Sequence, residues 1–432
     1  MALFLSMNIL IVTQYFWPEN FRINDLALGL KERGHAVEVL TGLPNYPAGK
    51  LFKGYGVFNR RRDNFDGITV YRAPLVPRGD GGSVRLALNF ISFALMASLS
   101  TVYCYQKKYD IILAYEPSPI TVLFPALTIK LTKSIPLLFW MQDLWPESLS
   151  ATGAIKSPII LKSVELMVRL VYKGCDKILA QSRAFIPSII RLGADPTRVA
   201  YYPNSAEKLY KPIDVVKDAL EEKLLPKGFR ITFAGNIGAA QDFETILSAA
   251  EKLKSVQDIH FVILGDGRML SWVCDEVQKR GLEKSFHLLG RHPAEAMPRF
   301  FALSDALLVT LRKDPIFALT IPSKVQSYLA CAKPIVAALD GEGARVVEEA
   351  RAGVTCQAES PADLANAVLK LYKLPTKTRD DMGKKGRAYF LKNFEREILL
   401  DRLEHLMQEV VSHKGSGRIN NLFFSLCLRA FV

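Results

Sequence analysis

The segment Phe229–Leu247 has the sequence FRITFAGNIGAAQDFETIL and contains one complete strand–turn–helix unit. An apolar run of strand length leads into a turn with Gly235 and Gly238, and a segment with helical spacing of apolar residues follows. Such units build parallel sheets whose strands are covered by helices. A polar, proline-marked stretch precedes the unit at residues 203–228, so we expect a linker there and a second domain after it.

The same alternation of strands and helices precedes the linker. Asn8–Val12 is a short apolar run, Asp25–Arg33 has helical spacing, and Ala36–Thr41 is again strand-like. We therefore predict an α/β fold with two Rossmann-like, doubly wound domains in tandem, which bind ligands at the carboxyl ends of their strands. The other predicted strands are apolar runs of similar length: Asp110–Tyr115, Pro136–Asp143, Lys177–Ser182, Ile259–Leu264, Ser304–Leu311 and Pro334–Leu339.

Composition agrees with two globular domains. The chain has 432 residues, of which 49% are hydrophobic and 23% charged. Its six cysteines lack C-x-x-C spacing, which fits free thiols in a reducing cytoplasm better than a zinc site or disulfides. The net charge of +13 favours an anionic partner, namely nucleic acid, a phosphorylated substrate or an anionic membrane surface, or it serves only solubility.

One long apolar segment, Ser83–Tyr105, has the length of a membrane-spanning helix. It lies between predicted strands of the first domain, so we favour a core-packed helix with an exposed apolar edge over interfacial contact or true spanning. Arg85 and Lys107-Lys108 lie near it and suit anionic headgroups. The N-terminal residues lack the basic start and cleavage site of a signal peptide, so we expect no such signal.

Three loops of the second half have the composition of an anion site. Gly235, Asn236 and Gly238 join a strand to a helix, where glycine allows close backbone approach and the helix offers N–H groups to phosphate; a tight turn without a ligand is the alternative. Leu264–Leu270 has a G-x-G and Arg268, but it lacks the third glycine of a dinucleotide fingerprint. Ser323-Lys324 opens a further helix between two strands.

Polar residues also follow two strands of the first half. Gln142 and Asp143 leave a buried strand, an arrangement that suits the binding of hydroxyl groups; a helix N-cap is the alternative for Asp143. The loop Gln14–Asp25 contains further polar side chains, including Glu19 and Arg22. None of the six histidines accompanies a nucleophile elbow, which argues against a hydrolase triad.

Six motifs in this order resemble the GT-B glycosyltransferases of family 4. Within that family the chain is most similar to bacterial enzymes that build O-antigen, capsule and exopolysaccharide, such as the colanic-acid-type and N-acetylfucosamine-type transferases. The resemblance extends from Met7 to Leu406. The motifs are TQYFWPE, LALGLKERGHAVEVLTG, WMQDLWPESL, FAGNIG, LGDG and IPSKVQSYLACAKPIV.

The resemblance implies two Rossmann-like domains that face each other across a cleft, with a C-terminal helix that crosses back to the first domain. It also implies metal-independent transfer with retention of anomeric configuration. The implied parts are an acceptor domain at 7–202, a linker at 203–228, a nucleotide-sugar domain at 229–385, a crossover helix at 386–411, and a tail at 412–432 without an assigned role.

The sequence departs from the family pattern where the donor binds. The E-x7-E glutamates of the family fall on Ser327 and near Ala318 or Leu319. Its arginine and lysine after the FAGNIG strand fall on Asn236 and Gln241. Lys324 and Arg268 are then the natural cations for the diphosphate, with Asp314 as a nearby acid. The loss of a sugar-side glutamate suggests a 6-deoxy or N-acetylated hexose.

The resemblance therefore assigns roles as follows. The catalytic residues would be Asp143, Lys324 and Glu19. The donor-binding residues would be Gly235, Asn236, Gly238, Gln241, Gly265, Gly267, Arg268, Arg291, Thr320, Ser323, Lys324 and Ser327. The acceptor-binding residues would be Glu19, Asn20, Arg22, Asn24, Gln142 and Asp143.

The expected substrates are a nucleotide diphosphate sugar, UDP-linked rather than GDP-linked, and a polyprenyl-diphosphate-linked saccharide. No metal and no other cofactor is expected. An anionic membrane surface would be a partner, which places the protein in the cytoplasm on the inner face of the membrane. A GT-B nucleotide-sugar 2-epimerase is the alternative enzyme, disfavoured by the few histidines in the candidate loops. A basic nucleic-acid-binding protein is the alternative without catalysis, although no nucleic-acid-binding motif is present.

Overall fold

The computed structural model describes residues 5–101, 107–151, 155, 157–215 and 219–413. It divides into two compact units. The N-terminal unit comprises the described parts of Met1–Gln181, Phe185–Tyr202 and Leu400–Val432. The C-terminal unit comprises Ser182–Ala184 and the described parts of Pro203–Leu399, so the expected linker at 203–228 is grouped with the second sheet.

The N-terminal unit contains, among its described residues, an eight-stranded sheet of order β3-β4-β2-β1-β5-β6-β7-β8. All neighbouring strands run parallel except the β3–β4 pair, a hairpin that the sequence reading did not predict. The strands are β1 Asn8–Thr13, β2 Ala36–Gly42, β3 Arg62–Phe65, β4 Ile68–Ala73, β5 Ile111–Glu116, β6 Leu137–Met141, β7 Lys177–Ala180 and β8 Val199–Tyr201.

Helices cover both faces of this sheet, which explains why β5 and β6 are buried along their whole length. Crossover connections between parallel strands are right-handed. Helix α1 leads from β1 to β2, toward the β3 end of the sheet, and lies on one face. Helices α2, α3 and α5 connect strands toward the β8 end of the sheet and therefore share the opposite face. The helices are α1 Arg22–Glu32, α2 Ser83–Ser100, α3 Leu123–Lys133, α4 Glu147–Ala151, α5 Pro158–Gly174 and α6 Ile186–Arg191.

The C-terminal unit has a sheet that is six-stranded within the described chain, parallel throughout, and of order β11-β10-β9-β12-β13-β14. Its strands are β9 Phe229–Ala234, β10 Ile259–Leu264, β11 Phe286–Gly290, β12 Ala306–Thr310, β13 Ile335–Ala338 and β14 Gly353–Cys356. Its helices are α7 Leu220–Leu224, α8 Phe243–Lys252, α9 Leu270–Lys279, α10 Met297–Ala302, α11 Pro315–Ala318, α12 Ser323–Ala330, α13 Glu342–Glu349, α14 Pro361–Lys373 and α15 Thr376–Asn393.

The predicted crossover segment at 386–411 is not one continuous helix. Helix α15 ends at Asn393, Phe394 leaves the helical region with a φ of −129°, and α16 runs from Arg396 to His413. The Glu395 carboxylate accepts hydrogen bonds from the N–H groups of Glu397 and Ile398 at 2.8 and 3.1 Å. This carboxylate caps the first turn of α16, which explains the break.

Helix α16 is fixed to the first sheet by buried polar contacts. The Glu404 carboxylate lies 2.8 Å from His35 Nε2 and 2.7 Å from Arg33 Nη1. The predicted return of the C-terminal helix to the first domain is therefore confirmed. The predicted tail at 412–432 lies outside the described residues from position 414 onward, as do Cys104 and Cys427. Cys175, Cys274, Cys331 and Cys356 are free thiols.

Candidate donor and acceptor sites

Three glycine-containing loops meet at the carboxyl edge of the C-terminal sheet. The Gly235 N–H donates to Leu264 O at 2.8 Å, and the Gly265 N–H donates to Gly290 O at 2.8 Å. Gly265 has a φ of +151°, and a Cβ there would lie 1.9 Å from Gly235 O. This close approach admits only glycine, so the turn after β10 packs directly on the turn after β9.

Lys324 lies beside this pair of loops, in the first turn of α12. A Cβ at Gly235 would lie 2.7 Å from Lys324 Cε and 3.2 Å from Nζ, so the glycine makes room for the lysine. The ammonium lies 4.0 Å from the centre of the Phe233 ring, and no charged side chain of the described residues pairs with it. Burial lowers the pKa of Lys324 to about 7. A helix start, glycine turns and an unpaired lysine together suit a diphosphate.

The other predicted donor residues divide into two groups. Arg268 and Arg291 are exposed in the loops that follow β10 and β11, at the same edge of the sheet as Lys324. The remaining polar side chains are engaged locally. Asn236 Nδ2 approaches Gln241 Oε1 at 3.5 Å, the Thr320 hydroxyl donates to Phe317 O at 2.9 Å, and the Ser327 hydroxyl donates to Ser323 O at 3.2 Å.

Gly238, Gly267 and Asp314 have structural functions in these turns. A Cβ at Gly267 would lie 2.3 Å from Ile237 O, and one at Gly238 would lie 2.4 Å from Asn236 Nδ2. Gly267 therefore lets the loops after β9 and β10 pack together, and Gly238 makes room for the Asn236 and Gln241 side chains within the loop after β9. The Asp314 carboxylate accepts the Ile316 N–H at 2.8 Å and caps α11. Ser323, the first residue of α12, is exposed.

At the carboxyl edge of the N-terminal sheet, Glu19 holds the loop that follows β2. One of its carboxylate oxygens accepts the N–H groups of Asn45 and Tyr46 at 2.8 and 2.7 Å. Burial raises the pKa of Glu19 to about 7, although these hydrogen bonds oppose the shift. Asn24 ties the same turn, because its side chain accepts the Trp17 N–H at 3.1 Å and donates to Glu19 O at 2.7 Å.

Aromatic side chains accompany Glu19 at this edge. The rings of Tyr15 and Phe21 stack with centres 5.0 Å apart, and Tyr46 lies 5.8 and 5.3 Å from them. The Arg78 guanidinium lies 4.9 Å from the centre of the Tyr46 ring, and its Nη1 is 3.4 Å from the Tyr15 hydroxyl. This aromatic and cationic surface was not predicted from the sequence. The predicted residues Asn20, which is exposed, and Arg22, which is half-buried, flank Phe21.

Asp143 and Gln142 follow β6 at the same edge, as predicted. Asp143 Oδ1 accepts the Leu144 N–H at 2.9 Å, and Oδ2 accepts the Trp145 indole N–H at 3.1 Å. Burial raises the pKa of Asp143, and hydrogen bonds, among them that from Trp145, oppose the shift. Helix α4 begins only at Glu147, so Asp143 fixes a turn ahead of the helix and is not its N-cap.

The structure adds Glu116, which the sequence reading missed. Glu116 ends β5 opposite Met141 of β6, and its backbone carbonyl accepts the Gln142 N–H at 3.0 Å. The side chain is fully buried, and neither carboxylate oxygen has a hydrogen-bond partner in the described part of the chain. Burial and the nearby Asp143 raise the pKa of Glu116 well above its ordinary value. An acid at the end of an otherwise apolar strand was the available signal.

No group of three or more histidine, cysteine, aspartate or glutamate side chains is arranged to hold a metal ion among the described residues. Metal independence stays a prediction.

The GT-B class of enzymes is defined by two Rossmann-like domains, with a C-terminal helix that returns to the first domain. This chain has both features, and each domain has its candidate residues at the carboxyl edge of a parallel sheet.

Comparisons with known proteins identify the family. Residues 20–205 match the model of a glycosyl transferase 4-like domain, and residues 216–389 match that of the glycosyl transferases group 1. The chain therefore belongs to the group 1, family 4 glycosyltransferases, a retaining family whose members use nucleotide sugars. The predicted enzyme class and GT-B fold are confirmed.

Two curated bacterial proteins and one solved structure are similar over most of the chain. The probable glycosyltransferase WbjE of Pseudomonas aeruginosa is 26% identical over 336 residues, which are 76% of this chain and 80% of WbjE. The putative colanic acid biosynthesis glycosyl transferase WcaI of Escherichia coli K12 is 26% identical over 308 residues, 70% of this chain and 74% of WcaI. Anabaena HepE in complex with UDP superimposes with a TM-score of 0.67 at 15% identity, covering 93% of this chain and all of HepE.

Proposed function

We propose that the protein transfers a sugar from a UDP-sugar to a polyprenyl-diphosphate-linked saccharide during assembly of a bacterial cell-surface polysaccharide. The similarity to WcaI, a putative colanic acid biosynthesis glycosyl transferase, supports a role in polysaccharide biosynthesis, and the similarity to WbjE supports glycosyl transfer. The UDP bound by HepE supports the nucleotide. The observation that carries the proposal is the Lys324 ammonium, unpaired within the described chain and held against the glycine turns of the C-terminal sheet.

In this proposal the C-terminal unit stabilises the leaving group. Negative charge develops on the diphosphate as the bond to the sugar breaks, and Lys324 with the first N–H groups of α12 would interact with that charge. The incoming hydroxyl attacks from the same face as the leaving group, which retains the anomeric configuration, and passes its proton to the departing phosphate. Arg268 and Arg291 would add positive charge at the edge of the same site.

The N-terminal unit would hold the acceptor. Asp143, fixed by its hydrogen bonds to Leu144 and Trp145, orients the acceptor hydroxyl or stabilises positive charge on the sugar. Glu19, Arg22 and the aromatic group of Tyr15, Phe21 and Tyr46 would contact the acceptor saccharide. The absence of acidic residues at positions 319 and 327 favours a donor hexose that is 6-deoxy or N-acetylated.

The proposed location is the inner face of the cytoplasmic membrane, where a lipid-linked acceptor would be available. The net charge of +13 supports association with an anionic surface.

A thermal-shift panel with UDP, GDP, ADP and their sugar conjugates tests the donor. We expect UDP and UDP-sugars to raise the unfolding temperature, because selective binding stabilises the native state by mass action. A matched pair of variants localises the effect: Lys324→Met should abolish the shift, and Lys313→Met, a change of an exposed lysine in the preceding loop, should preserve it. Stabilisation by GDP alone, or an equal UDP shift in Lys324→Met, would contradict the proposed donor site.

A further inference from the structure

Helix α2 presents an unusual surface. Among the described helices it is the one that is long and apolar enough to cross a membrane, with a mean hydropathy of 1.4, yet only 28% of it is buried. Arg85 is its one charged residue. Five exposed large apolar side chains recur every three or four positions and form a stripe, beside which Met96 is also exposed: Val84, Leu88, Ile91, Leu95 and Leu99.

The opposite side of α2 is fixed to the N-terminal sheet, which argues against spanning. Phe93, Ala94 and Ala97 are buried in the core. Asn89 is fully buried, accepts a hydrogen bond from Gln14 Nε2 at 2.7 Å and donates to Val76 O at 2.6 Å. A helix that spanned the bilayer would lose these contacts.

Helix α5 carries a second exposed apolar stripe on the same face of the sheet. Ile159, Leu166 and Leu170 are exposed at helical spacing. Helix α3 lies between α2 and α5, with Phe124, Leu127 and Leu131 only partly buried. Gly174 of α5 packs closely on α3, since a Cβ there would lie 2.5 Å from Leu127 Cδ2. We call the exposed stripes of α2 and α5 the α2–α5 face.

Three exposed cations lie at the margin of this face. Arg85 is exposed near the start of α2, and Lys162 and Lys173 are exposed along one side of the α5 stripe. Helical geometry places both lysines within about 60° of Ile159 around the α5 axis. An apolar centre with a basic margin is the pattern of a surface that binds the boundary of an anionic bilayer.

The α2–α5 face is also linked to the candidate acceptor residues. The loop between β4 and α2 contains Arg78, whose N–H donates to Asn45 Oδ1 at 3.0 Å. Arg85 Nε donates to Pro77 O at 2.8 Å, and the Val76 N–H donates to the Ser92 hydroxyl at 2.9 Å. Contacts of α2 with the membrane would therefore hold the Tyr15, Tyr46 and Arg78 surface at a fixed position relative to the lipid headgroups.

We propose that the α2–α5 face docks the protein on the surface of an anionic lipid bilayer, with α2 lying in the interface. This inference deepens the proposed function and rests on it for the lipid-linked acceptor. The binding surface itself follows from the exposed stripes, their basic margin and the buried anchor at Asn89.

Co-sedimentation of the full chain with vesicles tests the proposal. We expect binding to vesicles that contain phosphatidylglycerol and much weaker binding to pure phosphatidylcholine. The variant Leu88→Gln/Leu95→Gln should weaken binding about tenfold or more, since affinity scales with the buried apolar area. Leu220→Gln/Leu391→Gln changes two exposed leucines of the C-terminal unit and should bind like the parent protein.

Variants of the two α5 lysines and of the unassigned tail provide two further tests of the proposal. Replacing Lys162 and Lys173 by glutamine should reduce binding to anionic vesicles about fivefold for each lysine and have little effect on neutral ones. The triple variant Leu422→Gln/Phe423→Gln/Phe424→Gln should bind normally. Loss of binding in this tail variant, with normal binding of Leu88→Gln/Leu95→Gln, would overturn the proposal.

Two readouts separate the remaining outcomes. Sedimentation velocity without lipid should show the same species for the parent and for Leu88→Gln/Leu95→Gln; a dimer that dissociates in the variant would assign the face to a second copy and overturn the proposal. The UDP thermal shift should be equal in both proteins. If vesicles bind and UDP produces no shift, the donor assignment fails and the docking surface stands.

Discussion

Three acids, Glu19, Glu116 and Asp143, lie at the carboxyl edge of the N-terminal sheet. Glycine turns and Lys324 lie at the carboxyl edge of the C-terminal sheet. Burial acts on both edges but with opposite sign. It raises the pKa of the three carboxyl groups and lowers that of the lysine. At each edge, burial therefore shifts the ionisable groups toward their neutral forms. The edge of the N-terminal sheet therefore suits the hydroxyl and proton chemistry of an acceptor, and the edge of the C-terminal sheet suits the binding of an anion.

Removal of the Lys324 cation from the edge of the C-terminal sheet should have the largest effect on catalysis. Lys324→Met should lower kcat/KM by at least about 10²-fold, as expected when a donor that stabilises developing charge is lost. Transfer from a UDP-sugar, with Lys313→Met as the matched control, measures this effect. The variant should fold normally, since methionine suits the apolar surroundings of Phe233. Near-normal turnover in a folded Lys324→Met protein would break the assignment of the anion site.

Neutralisation of Asp143 at the edge of the N-terminal sheet should have a smaller effect on catalysis. Asp143→Asn keeps the shape and one acceptor oxygen, so we expect kcat to fall on the order of tenfold to a hundredfold through poorer orientation of the acceptor. UDP affinity should not change. Asp80→Asn, at an exposed acid of the same unit, is the control. A weaker UDP thermal shift in Asp143→Asn, with unchanged turnover, would assign this acid to the donor and so remove the distinction between the two edges.

The regular alternation of apolar runs was sufficient to predict the two parallel sheets and the loops at their carboxyl edges. Residues whose function depends on neighbours distant in sequence were less visible. Glu116 was missed because the strand was read to Tyr115, and only the fold brings its carboxyl group near Asp143. The β3–β4 hairpin was missed because Arg62–Phe65 has no apolar alternation. The local hydrogen bonds of Ser327 and Thr320 likewise depend on helix geometry that spacing alone does not define.

The pKa of Lys324 predicts how UDP binding depends on pH. The free lysine loses its proton as the pH rises through about 7, and the diphosphate binds the protonated form, so UDP affinity should fall by up to about tenfold per pH unit above pH 7. Lys324→Arg stays protonated and should show a flat profile over pH 7–9. Calorimetric titration at several pH values measures both. Parallel profiles for the two proteins would show that the lysine remains charged before UDP binds.

The same lysine should affect stability without ligand in the opposite direction. Between pH 7 and its ordinary pKa of 10.5 the unfolded chain binds a proton that the native state does not, so its contribution to the free energy of unfolding rises with pH. Lys324→Met should remove this contribution, which denaturant titrations at pH 7 and 9 would detect.

The smallest effect on activity should come from Glu116. Its pKa is raised in the native state, so the native protein keeps a proton that the unfolded chain loses as the pH rises above the ordinary glutamate pKa of 4.5. Stability from this group therefore falls with rising pH, and Glu116→Gln should remove that fall. The variant should gain up to about 1.4 kcal/mol per pH unit relative to the parent, with kcat changed less than about threefold.

Glu19 provides the contrast within the same edge. Its carboxylate accepts two backbone N–H groups, so Glu19→Ala should destabilise the protein by about 1–3 kcal/mol for the buried donors left without an acceptor. Urea unfolding of both variants at pH 5 and 8 makes the comparison. If Glu116→Gln is instead less stable than the parent at pH 8, the buried carboxyl group is ionised and paired in the native state. The acids at this edge would then be negatively charged in the native protein, and the two sheet edges would differ only in the sign of the charge that they hold.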